Sequence, residues 1–246
     1  MARRALPGSL ALVLTCEHAS NRVPAAYAQA LSGASHLLNT HRAFDPGALD
    51  FARYCAGQLS APLIAGQATR LLIDLNRSAD QPGLWSRWST ALTTSQQRDL
   101  LRKVYMPYRE ATQVALKRAL GAHRSPPQAV LHLSVHSFTP LLRGQRRSMQ
   151  VAFLFDPQRP LEVALARRWR SELLRLEPRL KLAFNRPYKG TADGHTTALR
   201  RVFPPKRYAG LELEINQALP RRGGPRWQRL QRHLAESLAR ALQTGF

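Results

Sequence analysis

The chain has 246 residues, 44% of them hydrophobic and 7% aromatic, which allows a substantial core and excludes a disordered chain. No apolar run reaches the roughly 18 residues that a membrane-spanning helix needs. Against 15 Asp and Glu stand 37 Lys and Arg, a formal net charge of +22, which attracts polyanions and anionic small molecules.

The start, MARRALPGSLALVLTCEH, has the arginines and apolar stretch of a signal peptide. It runs into Glu17 and His18 without a small-residue cleavage site, and reads as the first strand of a cytoplasmic protein. GALDFARYCAGQLS follows as a helix, with Ala48, Phe51, Ala52, Cys55 and Leu59 at helical spacing. PLIAG and RLLIDLN are short apolar runs read as strands. A long helix is expected from Ser95 to about Ala122, and AVLHLSVHS and MQVAFLFD read as strands. A helix from about Pro160 to Leu176, strands at LKLAFN and GLELEIN, and a helix bearing Trp227, Leu230, Leu234 and Leu238 complete the order. The stretches Asn185 to Arg207 and Pro220 to Pro225 read as loops. Alternation of strands and helices predicts one α/β domain over residues 1–246, with a mixed, mostly parallel sheet sandwiched by helices.

In such sheets, ligands collect beyond the carboxyl ends of the strands. Here those ends are crowded with polar groups: Glu17 and His18 after the first strand, Asp74, Asn76 and Arg77 after RLLIDL, and His136 and Ser137 after LHLSV. GLELEIN adds Glu212, Glu214 and Asn216. Period-two alternation puts His132, Ser134 and His136 on one face of their strand, and Glu212 and Glu214 together on theirs. Buried carboxylates are costly unless paired or bound to metal. A single such residue is accounted for as a satisfied core group, but four strands ending this way point to a site. Two histidines from separate strands plus an acidic residue suit a catalytic zinc, and a further carboxylate could act as general base. Asn76 and Arg77 suit a substrate carboxylate, because guanidinium binds carboxylate as a fork; a structural Asp74–Arg77 pair is the alternative.

LTCEHASNRVP, HRAFDPGALDFA, TRLLIDLNRS, LHLSVHSFTP, NRPYKG and GLELEINQAL together resemble the N-formylglutamate amidohydrolase family, from about Leu12 to Leu219. The resemblance implies a phosphorylase/hydrolase-like fold similar to zinc carboxypeptidases and aspartoacylase. It implies hydrolysis of a linear amide, releasing formate and glutamate as in histidine breakdown, by a metal-activated water with a glutamate general base. Carried over by position, His18 and His136 resemble the histidine ligands of one divalent metal, with zinc expected. Zinc carboxypeptidases take a glutamate three residues after the first histidine, and Asn21 stands there. Asp45 is therefore the expected acidic ligand, with Glu17 in reserve. Glu214 takes the position of the catalytic glutamate. Arg70, Asn76 and Arg77 resemble the substrate-carboxylate group, with His41 and His195 as further substrate contacts. The CEHAS start marks a divergent branch, which leaves another small N-acyl amino acid open as substrate. The expected partner is such an anionic substrate, with no membrane and no specific nucleic acid, and the oligomeric state is left open.

Two other readings compete. The basic charge could serve nucleic acid, but the basic residues are scattered, with short clusters at RGQRR, RRVFPPKR and RRGGPR and no interleaved aromatics. Solvated surface is the simpler account. Cys16 with His18 could form a cysteine amidase, although burial at a strand end explains Cys16 more simply, and Cys55 falls on an apolar helix face.

Overall fold

The computed structural model describes residues 10–121 and 129–243. In chain order its strands are β1 (Leu10–Cys16), β2 (Leu63–Ala65), β3 (Ala129–Phe138), β4 (Leu141–Leu142), β5 (Gln145–Arg146), β6 (Val151–Leu154), β7 (Leu182–Phe184) and β8 (Tyr208–Asn216). The helices are α1 (Ala48–Leu59), α2 (Thr94–Leu100), α3 (Met106–Gly121), α4 (Pro160–Leu176), α5 (His195–Val202), α6 (Ala218–Arg222) and α7 (Gly224–Gln243). Six strands form one sheet in the order β2-β1-β3-β8-β6-β7, while β4 and β5 pair as a separate hairpin. Neighbours in the sheet are parallel except β6 and β8, so it is mixed and mostly parallel, as expected.

Alternation along β3 and β8 divides the two faces. Leu131, Leu133 and Val135, with Ala209, Leu211, Leu213 and Ile215, join the main apolar cluster with residues of α1, α4 and α7. On the opposite side, Val130 and Tyr208 pack with Leu116 of α3 and Leu199 of α5. Further along that same face the apolar series gives way to His132, Ser134 and His136 on β3 and Glu212 and Glu214 on β8. The parallel register aligns Ser134 with Glu212 and His136 with Glu214. One face of the sheet is therefore core throughout, whereas the other turns polar toward its carboxyl end.

Three expectations need correction. RLLIDLN is irregular chain, held by turns such as Leu72 N–H to the Thr69 carbonyl and Arg77 N–H to the Asp74 carbonyl. Its Leu71, Leu72, Ile73 and Leu75 fill a side cluster with Leu31, Leu84 and Leu100, so the apolar run reports burial without sheet pairing. The long helix is α2 and α3 joined by a π-helical turn, Leu101–Tyr105. Pro107 lies just beyond this turn and has no N–H to donate, which interrupts the helical ladder there. The stretch read as a loop from Asn185 to Arg207 contains α5, and Pro220 belongs to α6.

Candidate active site

The first segment of the site leaves β1 at Glu17 and His18. The chain returns at Asp45, whose N–H bonds to the His18 carbonyl at 2.9 Å. Gly47 then starts α1 with φ +81°, and a side chain there would collide with Pro220. From β3 come Ser134, His136 and Ser137, whose own N–H donates to Asp45 Oδ2 at 3.2 Å. The irregular segment after Arg70 carries Asp74, Asn76 and Arg77, and β8 supplies Glu212 and Glu214.

His18, Asp45 and His136 offer ligand atoms that all lie within 4.8 Å of one another, and all three residues are buried. Asp45 Oδ2 is 3.4 Å from His18 Nδ1 and 3.0 Å from His136 Nδ1. The opposite nitrogen of each ring is already engaged. His18 Nε2 donates to Asp74 Oδ1 at 2.7 Å, and His136 Nε2 donates to Ser134 Oγ at 2.9 Å. The groups behind the rings hold a proton on each Nε2 and turn both Nδ1 atoms toward Asp45; the Nδ1 proton that His136 shares with Asp45 is the one a metal would replace. That is how histidine is oriented for a metal, by a hydrogen-bonded group behind each ring. Two imidazoles and a carboxylate form a donor set that fits a catalytic zinc.

The electrostatics agree. Burial alone would raise the Asp45 carboxyl, but the charge of His18 and hydrogen bonds from His136 and His18 outweigh it and hold the acid well below its usual range. Burial would lower His136, yet bonding to Asp45 and Glu17 holds it well above the usual imidazole range. Glu214 behaves oppositely. Burial, with a smaller push from Asp45 and Glu212 against the pull of His136, raises its carboxyl to about 8. Its Oε2 is fully buried without a hydrogen-bond partner. By contrast, Glu212 Oε1 accepts from Thr196 Oγ1 at 2.6 Å.

These groups line a cleft of about 200 Å³ that includes His18, Asp45, Arg70, Asn76, Arg77, His136, Glu212 and Glu214. The structure thus brings together seven of the nine anticipated site residues. His41 is exposed and outside this lining, while His195 is fully buried behind it. His195 Nδ1 donates to Glu17 Oε1 at 3.1 Å, and its backbone N–H donates to Asn76 Oδ1 at 2.7 Å. Glu17, the reserve ligand, faces the same inner layer. It accepts from Ser134 Oγ at 2.6 Å, and hydrogen bonds from His136 and His195 overcome burial to keep it ionised. Asn21 turns away and bonds Asn39. His132 is a satisfied core histidine between Thr15 and Tyr208, and burial lowers it to about 3.

The alternative Asp74–Arg77 pair is replaced by Arg70, whose Nη2 donates to Asp74 Oδ2 at 2.6 Å. Arg77 instead donates to the Asp193 carbonyl at 2.7 Å. Sequence reasoning missed Lys189 and Tyr188, which complete the cleft wall from NRPYKG. Lys189 makes no side-chain hydrogen bond or ion pair among the described residues. That motif had entered only as part of a resemblance, and a cation in it was the available signal.

Cys16 lies fully buried in the main apolar cluster. Burial, then the charges of Glu17 and Asp45, push its thiol well above the usual range, which disfavours a thiolate nucleophile. Cys16→Ala is expected to retain most turnover. A loss above roughly a thousandfold, in protein of unchanged melting behaviour, would restore the cysteine mechanism.

Among the described residues no helix is long and apolar enough to cross a membrane. No curated protein sequence matches the chain. Among solved structures, gene product Atu2144 from Agrobacterium tumefaciens is similar, with a TM-score of 0.80 and 26% identity over 96% of this chain and 91% of that one. N-formylglutamate amidohydrolase from Ralstonia eutropha JMP134 shares the fold with a TM-score of 0.66 and 20% identity, covering 96% of this chain and 93% of that one. The family model for N-formylglutamate amidohydrolase matches residues 10–220, which takes in every element that builds the cleft. This chain therefore belongs to the N-formylglutamate amidohydrolase family and is an amidohydrolase.

Proposed function

We propose that the protein hydrolyses the amide bond of N-formylglutamate or a closely related small N-acyl amino acid. The observation that carries this reading is the unpartnered Glu214 Oε2 beside the His18–Asp45–His136 cluster, inside one cleft of an amidohydrolase fold. His18, Asp45 and His136 would hold one divalent cation, zinc by the chemistry of the donors. When bound, such a cation polarises the amide carbonyl and lowers the pKa of water. Glu214 is the proton carrier: in its ionised form its free oxygen would take a proton from the attacking water and return it to the leaving nitrogen. Asp74 and Ser134 hold the two imidazoles in register. On this reading the enzyme serves histidine breakdown in the cytoplasm, the setting its substrate implies. The direct test is formate release from N-formylglutamate by zinc-loaded protein; no release from that or any short N-acyl amino acid would refute it.

Arg70, Asn76, Arg77 and Lys189 surround the substrate's carboxylates. Arg70 is partly neutralised by Asp74, and Arg77 is occupied by a carbonyl, which leaves Lys189 as the freest cation. A hydrogen bond to a charged group contributes about 1.5–3 kcal/mol. At this exposed position the lower figure applies, and Lys189→Ala should raise KM for N-formylglutamate about tenfold with kcat unchanged. The difference should shrink with N-formylglutamine, which lacks the side-chain carboxylate. An equal KM effect on both substrates would remove Lys189 from recognition of the side-chain carboxylate.

A further inference from the structure

Beside the catalytic cleft lies a larger one, about 630 Å³, with no carboxylate in its lining. Arg146, Arg147, Arg179, Lys181, Arg222 and Arg226 surround it, with Gln150 and Asn216 between them. Some arginines elsewhere are neutralised, Arg200 by Glu162, Arg229 by Glu177 and Arg240 by Glu236. Among the described residues, none of the six cations here forms an ion pair. Three separate segments bring them together: the β4–β5 hairpin with the chain after it, the link from α4 to β7, and the α6–α7 corner, while the end of β8 adds Asn216. At that corner Gly223 and Gly224 take φ +56° and +69°, turning the chain between Arg222 and Arg226. Like charges held in a concavity repel one another, and an anion between them relieves that cost.

The two clefts adjoin. The Arg147 guanidinium sits over the Tyr188 ring, 5.4 Å from its centroid, and donates to its hydroxyl at 3.4 Å. Tyr188 lines the catalytic cleft, whereas Arg147 lines the basic one. On β8, Glu214 belongs to the first and Asn216, the next residue on that face, to the second. No aromatic ring lines the basic cleft, so it offers nothing for a nucleobase to stack on.

We infer that the basic cleft is a second anion site that receives an acidic extension of the substrate: an N-acyl peptide whose further carboxylates lie beyond the residue bearing the scissile amide. This rests on the proposed amidohydrolase reading of the first cleft. Guanidinium forks suit carboxylates, and a catalytic cleft of about 200 Å³ leaves a longer chain to lie outward.

The test compares N-formylglutamate with N-formyl-triglutamate in the zinc-loaded protein and in Arg179→Glu/Arg226→Glu, whose fold is checked by thermal melting. The wild type should favour the tripeptide in kcat/KM by about tenfold or more. The double variant should lose that preference, with N-formylglutamate changed less than about twofold. Arg179→Gln/Arg226→Gln should show the same trend more weakly, and added salt should erode the preference. No preference in the wild type, or equal losses on both substrates, overturns the inference. If neither substrate is hydrolysed, the activity reading fails by itself, and fluorescein-labelled triglutamate then decides about the cleft. Binding weakened by at least tenfold in the double variant supports it, and unchanged binding overturns it. Tight binding of single-stranded DNA that the double variant abolishes, without any triglutamate binding, would make the cleft a nucleic-acid site and likewise overturn it.

Discussion

Glu214→Gln is expected to lower kcat by about 10²–10⁴-fold while metal content stays intact, the span typical of general acid–base catalysis. Glutamine keeps the shape of the side chain and removes its capacity to carry a proton. The structure separates Glu214 from Glu212, which lies two residues away on the same face. Glu212 is tied to Thr196 at 2.6 Å, whereas Glu214 keeps an oxygen unpartnered. Glu212→Gln should therefore cost much less in kcat. If Glu212→Gln is inactive and Glu214→Gln is not, the proton carrier is one pleat away; if both are active, the mechanism is wrong.

The same substitution has a signature independent of catalysis. Glu214 is raised by burial from 4.5 to about 8, so the folded chain holds this proton more tightly than the unfolded one. Its contribution to stability is fully present below about pH 4.5, declines through the interval and is lost above about pH 8. In chelator-treated protein, Glu214→Gln should melt like the parent near pH 4. It should melt higher than the parent above pH 8, by as much as about 5 kcal/mol or on the order of 10 °C. A parent and variant with parallel pH profiles would show that this carboxyl is not desolvated.

Much of this site was legible because its strands carry their chemistry in the pattern. LHLSVHS and GLELEIN each alternate an apolar series with a polar one, and that alternation alone put His136 and Glu214 on faces where packing gives no reason for them. What the sequence could not show is closure over distance. Glu17 meets Ser134 and His195, which lie 117 and 178 positions away, so nothing local distinguished an inner-layer carboxylate from a metal ligand. Asp74 was visible, but its neighbour Arg77 was the tempting partner, and the actual pairs are Arg70 and His18. RLLIDLN misled for a related reason: a short apolar run says that a segment is buried, not what it is buried against. The helix α5 escaped because His195–Val202 is only eight residues long and stands among glycines, prolines and arginines that read as loop.

Removing either imidazole should abolish both metal binding and activity. His18→Ala and His136→Ala each delete one of three donors, and a site with two remaining protein ligands falls below the three that catalytic zinc sites use. Wild-type protein should carry one zinc per chain by elemental analysis after dialysis; each variant should carry close to none. Substitution one layer back grades the effect. Asp74 accepts from His18 Nε2 at 2.7 Å, and its charge also fixes Arg70. Asp74→Asn keeps the size but loses the charge that makes the His18 ring a better donor, and should weaken metal affinity by about 10–100-fold without eliminating it. Ser134→Ala removes the neutral partner of His136 and leaves Glu17 at 3.4 Å to take its place, so its cost should be smaller. That ordering, ligand above charged partner above neutral partner, follows from the network itself. Full metal occupancy in both histidine variants would overturn the assignment of the centre. Equal losses across all four substitutions would instead mean that the cluster is one structural unit and that zinc loss reports its collapse.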